Sequence, residues 1–493
     1  MKAILILHRY LGVVVGLLMA LWCLSGFVMM YSGYPQLSGA QKLKGLPPLN
    51  LASATPRPPL QLADDSKVTG FRLQMMSDRP VLLVGLGRRQ RLLDLTTGTD
   101  LDEVDAPTAL AVASAFAKGN AIAGKPHDLG VIDDDQWTVE GAEARGPVRH
   151  IRFDDPAATH LYIPTASGEP SQITTGRTRF WGWLGAVPHW LFPTVLKRNN
   201  ELWTQVVIYA SLIGVFLTAT GLFVGITRFR RYKSGRWSPY RGWFYWHHIA
   251  GLVFGILTLT WVGTGLLTMN PWGYGESDVG QAERAGLAGT VTGADLKQFL
   301  AAAPSFVHGD LAQLNAATLG GKLYVMAVQR DGTSQRLNAQ GAPAPLQELE
   351  LTAAMKGMGG PAVAKFTRMA GPDAYYYTNY DRPAVLPAYR ADTGDARHST
   401  YYIDAASGRM VFAIDDGGRQ SRWIRTGLHD FDFAWMRARP IWDVIVLILL
   451  AGVTGTCITG AWLSIKRVIR DAKAVASAVP GKAPESKTAA ART

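Results

Sequence analysis

Residues 247–269 read HHIAGLVFGILTLTWVGTGLLTM, an apolar run that opens with two adjacent histidines. The run is long enough to cross a lipid bilayer, which takes about 20 residues. Residues 8–30, HRYLGVVVGLLMALWCLSGFVMM, match it when they are shifted forward by 239 positions. The identical pairs are His8/His247, Gly12/Gly251, Gly16/Gly255, Trp22/Trp261, Gly26/Gly265 and Met30/Met269. Agreement at one fixed offset predicts an internal duplication.

Hydropathy divides the 493 residues into four membrane spans and two large polar segments. Each span has an apolar run of about 20 or more residues without a charge in its interior. The predicted parts are a span at 1–31, an outer segment at 32–202, a span at 203–226, a linker at 227–242, a span at 243–270, an outer segment at 271–440, a span at 441–465 and a tail at 466–493. The composition of the tail predicts disorder.

The net charge of +12 is concentrated in the short segments on one side of the spans. The amino terminus, the 227–242 linker and the tail hold 15 Lys or Arg against two acidic residues, which leaves the rest of the chain close to neutral. By the positive-inside rule, both termini and the linker are cytoplasmic and the polar segments are outside. This distribution gives no support to nucleic-acid binding.

The first span is predicted to be retained, because its apolar run is too long for a signal peptide and matches an internal span. Cys23 and Cys457 both lie within spans, so they do not form a disulfide framework. Both are predicted to act as small apolar residues that pack between helices.

Both outer segments mix helical and strand patterns, which predicts two α+β domains with the same order of elements. Predicted helices lie at 108–119, 295–303 and 346–357, and predicted strands at 129–139, 147–154, 322–328, 334–338, 374–379 and 385–390. Each copy contains an even number of spans, so both copies have the same orientation. They are therefore predicted to be parallel repeats about a pseudo-twofold axis along the membrane normal.

Five histidines lie at the membrane boundaries. His8, His247 and His248 begin spans one and three, and His189 and His429, 240 residues apart, precede spans two and four. A single interfacial histidine is often only a helix anchor, but two symmetric pairs of ionisable residues favour a function. Residues related by a twofold axis face each other when they point inward. Each of the pairs His8/His247 and His189/His429 is therefore predicted to bind a flat metallocofactor, with one histidine on each face.

Imidazole on both faces of the metal is typical of an electron-transfer haem. The chain has no C-x-x-C-H motif, so two such haems would be non-covalent, b-type groups. His248 has no counterpart in the first copy, where Arg9 stands, and this favours His247 as the ligand. Neighbours on a helix are only about 100° apart, so His248 stays open as an alternative. Gly12, Gly16, Gly251 and Gly255 leave room for a porphyrin, or simply let helices pack closely.

Three motifs resemble the PepSY-associated transmembrane family. They are the H-x-x-x-G at 8–12 and 247–251, TWVGTGLLTMNPWG at 260–273 and YYIDAASGRM at 401–410. The resemblance covers the chain apart from the tail and implies that the outer domains are PepSY-type domains. The first copy departs from the pattern, with Pro164 where the second copy has Asp404.

Members of this family include inner-membrane di-haem reductases of iron–siderophore complexes. The resemblance implies a multi-pass protein of the bacterial inner membrane with two b haems, on His8, His247, His189 and His429. It would act as a ferric-chelate reductase on a ferric siderophore in the periplasm. No flavin or nicotinamide motif is present, so the electrons would come from a separate cytoplasmic donor or from membrane quinol.

Two other functions stay open at the level of sequence. PepSY domains also occur as inhibitory propeptides, so the chain is alternatively a non-enzymatic membrane protein that restrains or senses an envelope protease. A further alternative function is a quinol-linked cytochrome with an acceptor other than iron. A Soret band in the purified protein separates the two haem functions from the non-enzymatic one.

The charge asymmetry predicts the orientation of the spans. Reporter domains fused within residues 230–240, or after the fourth span, should be active only as cytoplasmic reporters, because Lys and Arg are retained on that side. A fusion within 230–240 that reports an outside location would overturn this orientation.

Overall fold

The computed structural model describes residues 2–54, 62–87, 89–101, 103–273, 275, 277–307, 309–379 and 383–478. Its α-helices are α1 (Lys2–Met29), α2 (Gly39–Gly45), α3 (Ala106–Gly119), α4 (Ala142–Arg145), α5 (Gly176–Leu184), α6 (Ala186–His189), α7 (Thr194–Lys197), α8 (Asn200–Arg228), α9 (Trp243–Thr268), α10 (Gln281–Ala288), α11 (Gly293–Ala302), α12 (Glu348–Gly357), α13 (Asp416–Arg422) and α14 (Ile441–Ala478). Within the described residues, α1, α8, α9 and α14 are long and apolar enough to cross a membrane. The chain is therefore a multi-pass membrane protein.

The four spanning helices form one bundle. Residues 229–242 connect α8 to α9 at one end, which we call the linker end, and the β-sheets lie beyond the other end, the sheet end. The first and last helices approach closely, since a Cβ on Gly16 would lie 3.7 Å from the Cα of Ala461. Small residues permit such contacts, which are a main source of helix association in lipid.

The last helix continues beyond the predicted fourth span. The tail at 466–493 is predicted to be disordered, but α14 extends to Ala478, and residues 479–493 lie outside the described part of the chain. The prediction is therefore wrong for 466–478. This stretch is rich in helix-forming residues, and Arg467 donates a hydrogen bond of 2.6 Å to Asp471 one turn later, a spacing that supports a helix.

Among the described residues, the strands beyond the sheet end form three larger sheets and one two-stranded ribbon. The strands are β1 (Lys67–Val68), β2 (Gly70–Met76), β3 (Arg79–Leu86), β4 (Arg89–Asp94), β5 (Thr99–Asp100), β6 (Pro126–Ile132), β7 (Val148–Phe153), β8 (His160–Pro164), β9 (Gln172–Thr174), β10 (Val291–Thr292), β11 (Leu311–Ala316), β12 (Tyr324–Gln329), β13 (Ser334–Asn338), β14 (Val363–Met369), β15 (Ala388–Thr393), β16 (Thr400–Asp404) and β17 (Met410–Ile414). Two four-stranded sheets have equivalent orders, β6-β7-β8-β9 and β14-β15-β16-β17.

The central sheet contains strands from both outer segments. Its order is β13-β12-β11-β2-β3-β4-β5, and the two segments meet where Leu314 of β11 lies opposite Leu73 of β2. The predicted organisation has one α+β domain in each segment, whereas this sheet joins the two. An edge strand left without a partner exposes backbone donors and acceptors, and pairing β2 with β11 removes an edge from each half.

The core of the central sheet is also shared. Phe71, Leu73 and Leu82 from the first segment pack in one cluster with Phe299 and Leu314 from the second. Helix α11 contributes Phe299, which is fully buried and lies 5.0 Å from the ring centroid of Phe71. The two halves therefore exclude water from the same apolar surface, which links their stabilities.

Each four-stranded sheet holds one buried tyrosine against an aspartate in the preceding loop. The Tyr162 hydroxyl donates to Asp135 at 2.7 Å, and the Tyr402 hydroxyl donates to Asp373 at the same distance. Burial and the neighbouring carboxylate raise the pKa of both phenols above the ordinary value, so both remain protonated donors. The same polar contact thus occurs in both sheets, 238 to 240 residues apart.

The structure confirms most of the predicted outer elements, but the strand predicted at 129–139 is wrong beyond Ile132, where β6 ends and a loop begins. Helix α3 includes the predicted 108–119, and β13 matches the predicted 334–338. The strand predicted at 374–379 is wrong, because this stretch is a loop in which Tyr376 stacks on Tyr402 at 4.8 Å. The edge strand of this sheet is instead β14. Most of its residues are exposed or only partly buried, so its sequence shows no clear alternation of apolar and polar residues.

The shared sheet predicts a specific cross-link between the halves. In a Cys23→Ala, Cys457→Ala background, Arg72→Cys with Asn315→Cys should form a disulfide under mild oxidation, since these residues are directly paired. Partner strands are about 5 Å apart, which suits disulfide geometry. The bridge is read by mass spectrometry of peptides from the unreduced protein.

The matched control combines Arg72→Cys with Gln335→Cys on β13, three strands away and about 14 Å distant. This pair should stay reduced under the same conditions. Equal cross-linking of the two pairs would contradict the shared sheet.

Candidate paired-histidine site

His8 and His247 face each other inside the bundle near the linker end. Their ring centroids are 6.3 Å apart and their planes are inclined by 25°. His8 lies on α1 and His247 on α9, so each of the predicted copies supplies one ring. The pairing predicted from the common offset is therefore present in the structure.

A hydrogen bond to a neighbouring helix orients each of these rings. The Nδ1 atom of His8 lies 3.0 Å from the Leu217 carbonyl oxygen. The Nδ1 atom of His247 lies 3.2 Å from both the Thr456 carbonyl and the Thr459 hydroxyl. A carbonyl only accepts, so Nδ1 carries the proton and Nε2 keeps its lone pair, the tautomer required of a metal ligand.

His189 and His429 form a second facing pair near the sheet end. Their ring centroids are 6.5 Å apart, with an interplanar angle of 55°. His189 ends α6, and His429 ends a π-helical turn at Trp423–His429 that the sequence does not reveal. π-helical turns often occur at functional sites, where the extra residue re-aims a side chain.

The second pair is oriented in the same way as the first. The Nδ1 atom of His189 lies 3.1 Å from the Ser25 hydroxyl and 3.2 Å from the Trp22 carbonyl. The Nδ1 atom of His429 lies 3.1 Å from the Thr264 hydroxyl. Ser25 and Thr264 are 239 residues apart, the same offset that relates Leu217 to Thr456. Among the described residues, no hydrogen bond engages Nε2 of any of the four histidines.

Glycines give the rings their space. A Cβ on Gly221 would lie 2.7 Å from the Cε1 atom of His8, and one on Gly460 would lie 2.9 Å from Cε1 of His247. A Cβ on Gly265 would lie 3.3 Å from Cε1 of His429. Sequence reasoning singled out other glycines and missed the role of Gly221 and Gly460. The signal was available, because these two glycines also share the offset of 239.

A cavity of about 580 Å³ opens beside the first pair, within the range typical of ligand sites. The four glycines for which the sequence predicts a packing or space-making role all line it: Gly12, Gly16, Gly251 and Gly255. Four cations also line it: Arg9, Lys466, Arg467 and Arg470. The cavity therefore suits a largely apolar molecule that carries acidic groups at one side.

His248 has a different environment from His247. It is buried, with Nδ1 2.9 Å from the Ser238 hydroxyl and Nε2 2.9 Å from the Gly225 carbonyl. Both ring nitrogens are occupied by these contacts, so His248 fastens the 229–242 linker to the bundle. His247 is the residue that faces His8.

The described residues contain no group of three or more His, Cys, Asp or Glu side chains placed to hold a metal ion. Within this described part of the chain, each facing pair thus offers two nitrogen ligands and no third protein ligand. Two imidazoles on opposite sides leave the positions between them open to a planar molecule that brings its own donor atoms.

The fold and these pairs define a class of protein, a four-helix membrane protein with α+β parts on one side and two histidine pairs inside. The chain belongs to the PepSY-associated TM region family, whose model matches residues 5–467. No curated protein matches the chain.

The close approach of Gly460 to His247 predicts a position-specific effect on stability. Gly460→Ala should lower the free energy of unfolding by about 1–3 kcal/mol, because the methyl group overlaps the ring. Gly455→Ala on the same helix is the control, since a Cβ there meets nothing within 4 Å. It should be neutral, or stabilising by up to about 1 kcal/mol. Thermal unfolding in detergent, followed by circular dichroism, compares the two, and equal effects would contradict the contact.

Proposed function

We propose that this protein carries electrons across the membrane through two b haems and reduces ferric siderophore on the outer side. The observation that carries the proposal is the pair of facing imidazole sites, with ring centroids 6.3 Å and 6.5 Å apart. A metal held between two imidazoles lies about 2 Å from each nitrogen, which places the ring centroids roughly 6 Å apart. Both pairs have this spacing.

The donor set fits haem better than a bare metal ion. Each site has two imidazoles, and the described residues contain no group of three or more metal-binding side chains. Haem supplies four nitrogen donors of its own and an iron that takes up and releases one electron. At the linker end, the cavity lined by glycines leaves space for the macrocycle, and Arg9 and Lys466 are available to pair with its carboxylates.

The protein's own residues hold the rings in place. The Leu217, Thr456 and Trp22 carbonyls fix the tautomers of three rings. The Thr264 hydroxyl contacts Nδ1 of the fourth ring. Between the two pairs, apolar side chains such as Met19 and Val453 pack in the bundle core. His8 and Ser25 are 17 residues apart on α1, which is a rise of roughly 25 Å along the helix. Ser25 is the residue that contacts His189. One site near each end thus divides a hydrocarbon core of about 30 Å.

Reduction releases iron from a siderophore, because Fe(II) is held less tightly by hard oxygen ligands than Fe(III). The α+β parts at the sheet end offer the surface on which such an acceptor would meet the outer site. We infer that they are PepSY-type domains in the periplasm, that both termini are cytoplasmic, and that the two copies are related by a pseudo-twofold axis. The recurrence of the histidine contacts at an offset of 239 supports the symmetry.

The donor would be a cytoplasmic protein or membrane quinol that meets the bundle at the linker end. A non-enzymatic regulator of an envelope protease does not require two buried histidine pairs with matching hydrogen bonds. These pairs therefore favour the haem function. The absorption spectrum of the dithionite-reduced protein distinguishes these functions, and anaerobic addition of ferric siderophore then tests the acceptor.

The ligand assignment predicts which haem each histidine holds. His189→Ala or His429→Ala should reduce the haem content from two per chain to one, by removing the outer ligand pair. Electron transfer to an outside acceptor should then stop, although the inner site can still be reduced. His8→Ala should remove the inner haem instead and block entry of electrons. Haem is counted by pyridine haemochrome per mole of protein.

The control is His398→Ala, since this histidine is 72% exposed and pairs with Asp416 in the outer region. It should retain both haems. A wild-type protein without haem would eliminate the proposed function. If His189→Ala and His429→Ala both retained two haems, the protein would still be a haem protein. The assignment of these two histidines as the outer ligands would then be refuted.

A further inference from the structure

The two cysteines of the chain meet inside the bundle. Cys23 lies on α1 and Cys457 on α14, 434 residues apart, and their Sγ atoms are 3.7 Å apart. The sequence contains two cysteines in 493 residues and predicts only that each packs as a small apolar residue. Their contact is therefore a tertiary feature.

The helices that carry the cysteines are packed closely. A Cβ on Gly12 would lie 2.9 Å from the Ser464 hydroxyl oxygen, and one on Gly16 would lie 3.7 Å from the Cα of Ala461. Both cysteines belong to the apolar core of the bundle. A bridge between them requires the sulfurs to approach to about 2.05 Å, and closely packed helices leave only a short distance to cover.

The thiol pair lies between the two histidine pairs. Cys23 follows Trp22, whose carbonyl contacts His189, and Cys457 follows Thr456, whose carbonyl contacts His247. Cys457 also lines the 580 Å³ cavity, together with Arg9 and Lys466 at the linker end. A small uncharged oxidant can therefore reach this sulfur from the aqueous side.

We propose that Cys23 and Cys457 are a redox-active pair that peroxide converts to a reversible disulfide. The proposal needs only the two thiols and does not rest on the haem function. A bridge at this position joins the first spanning helix to the last. It also restrains both helices beside the carbonyl groups that orient His189 and His247.

The chemistry is balanced with hydrogen peroxide as the oxidant. The Cys457 sulfur attacks one peroxide oxygen and the O–O bond breaks, which forms a sulfenic acid and a hydroxide that takes up the thiol proton as water. The Cys23 sulfur then displaces the sulfenic oxygen, which leaves with the second thiol proton as water. Two thiols and one peroxide thus yield one disulfide and two waters.

The test uses the full chain in lipid nanodiscs, with a protease site inserted in the 229–242 linker. After treatment with peroxide and cleavage, the two halves should remain joined on a non-reducing gel and separate when dithiothreitol is added. The intact mass should fall by about 2 Da, and iodoacetamide should find no free thiol after unfolding. Oxidation of glutathione in a separate parallel reaction verifies that the peroxide dose is sufficient.

Cys23→Ala is the matched control. Its halves should separate without reductant, and Cys457 should accumulate as sulfenic or sulfinic acid because no second thiol is in contact. Halves of the wild-type protein that separate without reductant would overturn the proposal, whether Cys457 ends as a free thiol or as a sulfinic acid.

Discussion

The hydrogen bond from each histidine Nδ1 to an adjacent helix is the interaction on which the candidate site depends. A polar ring inside an apolar bundle must have a partner, because an unpaired polar group in hydrocarbon costs several kcal/mol. The partners here are the Leu217, Thr456 and Trp22 carbonyls and the Thr264 hydroxyl. Satisfying Nδ1 in this way sets the tautomer and leaves the lone pair on Nε2.

These hydrogen bonds form only where the rings can approach the neighbouring helix. Gly221 and Gly460 permit this for His8 and His247, since a methyl group at either position would overlap the imidazole. The same geometry explains why His248, one position further along α9, has a structural role. Its ring faces Ser238 and the Gly225 carbonyl, where both nitrogens are bonded.

The alignment of each pair also requires the two halves of the chain to keep their relative position. The bundle supplies one restraint through the close contact of α1 with α14. The central sheet supplies another, because β2 and β11 pair across the halves and share one apolar core. A duplicated chain with separate outer domains would lack this second restraint.

The four spans, the recurring offset and the histidines that share it can be predicted from the sequence, because hydropathy and internal similarity are local or periodic signals. It also predicted most outer helices and strands. Three contacts are visible only once the chain is folded: β2 pairs with β11, His247 rather than His248 faces His8, and Cys23 touches Cys457. These contacts join residues hundreds of positions apart or depend on the rotation of a helix about its axis. Neither is encoded in a short pattern, since both follow from how complete elements pack together.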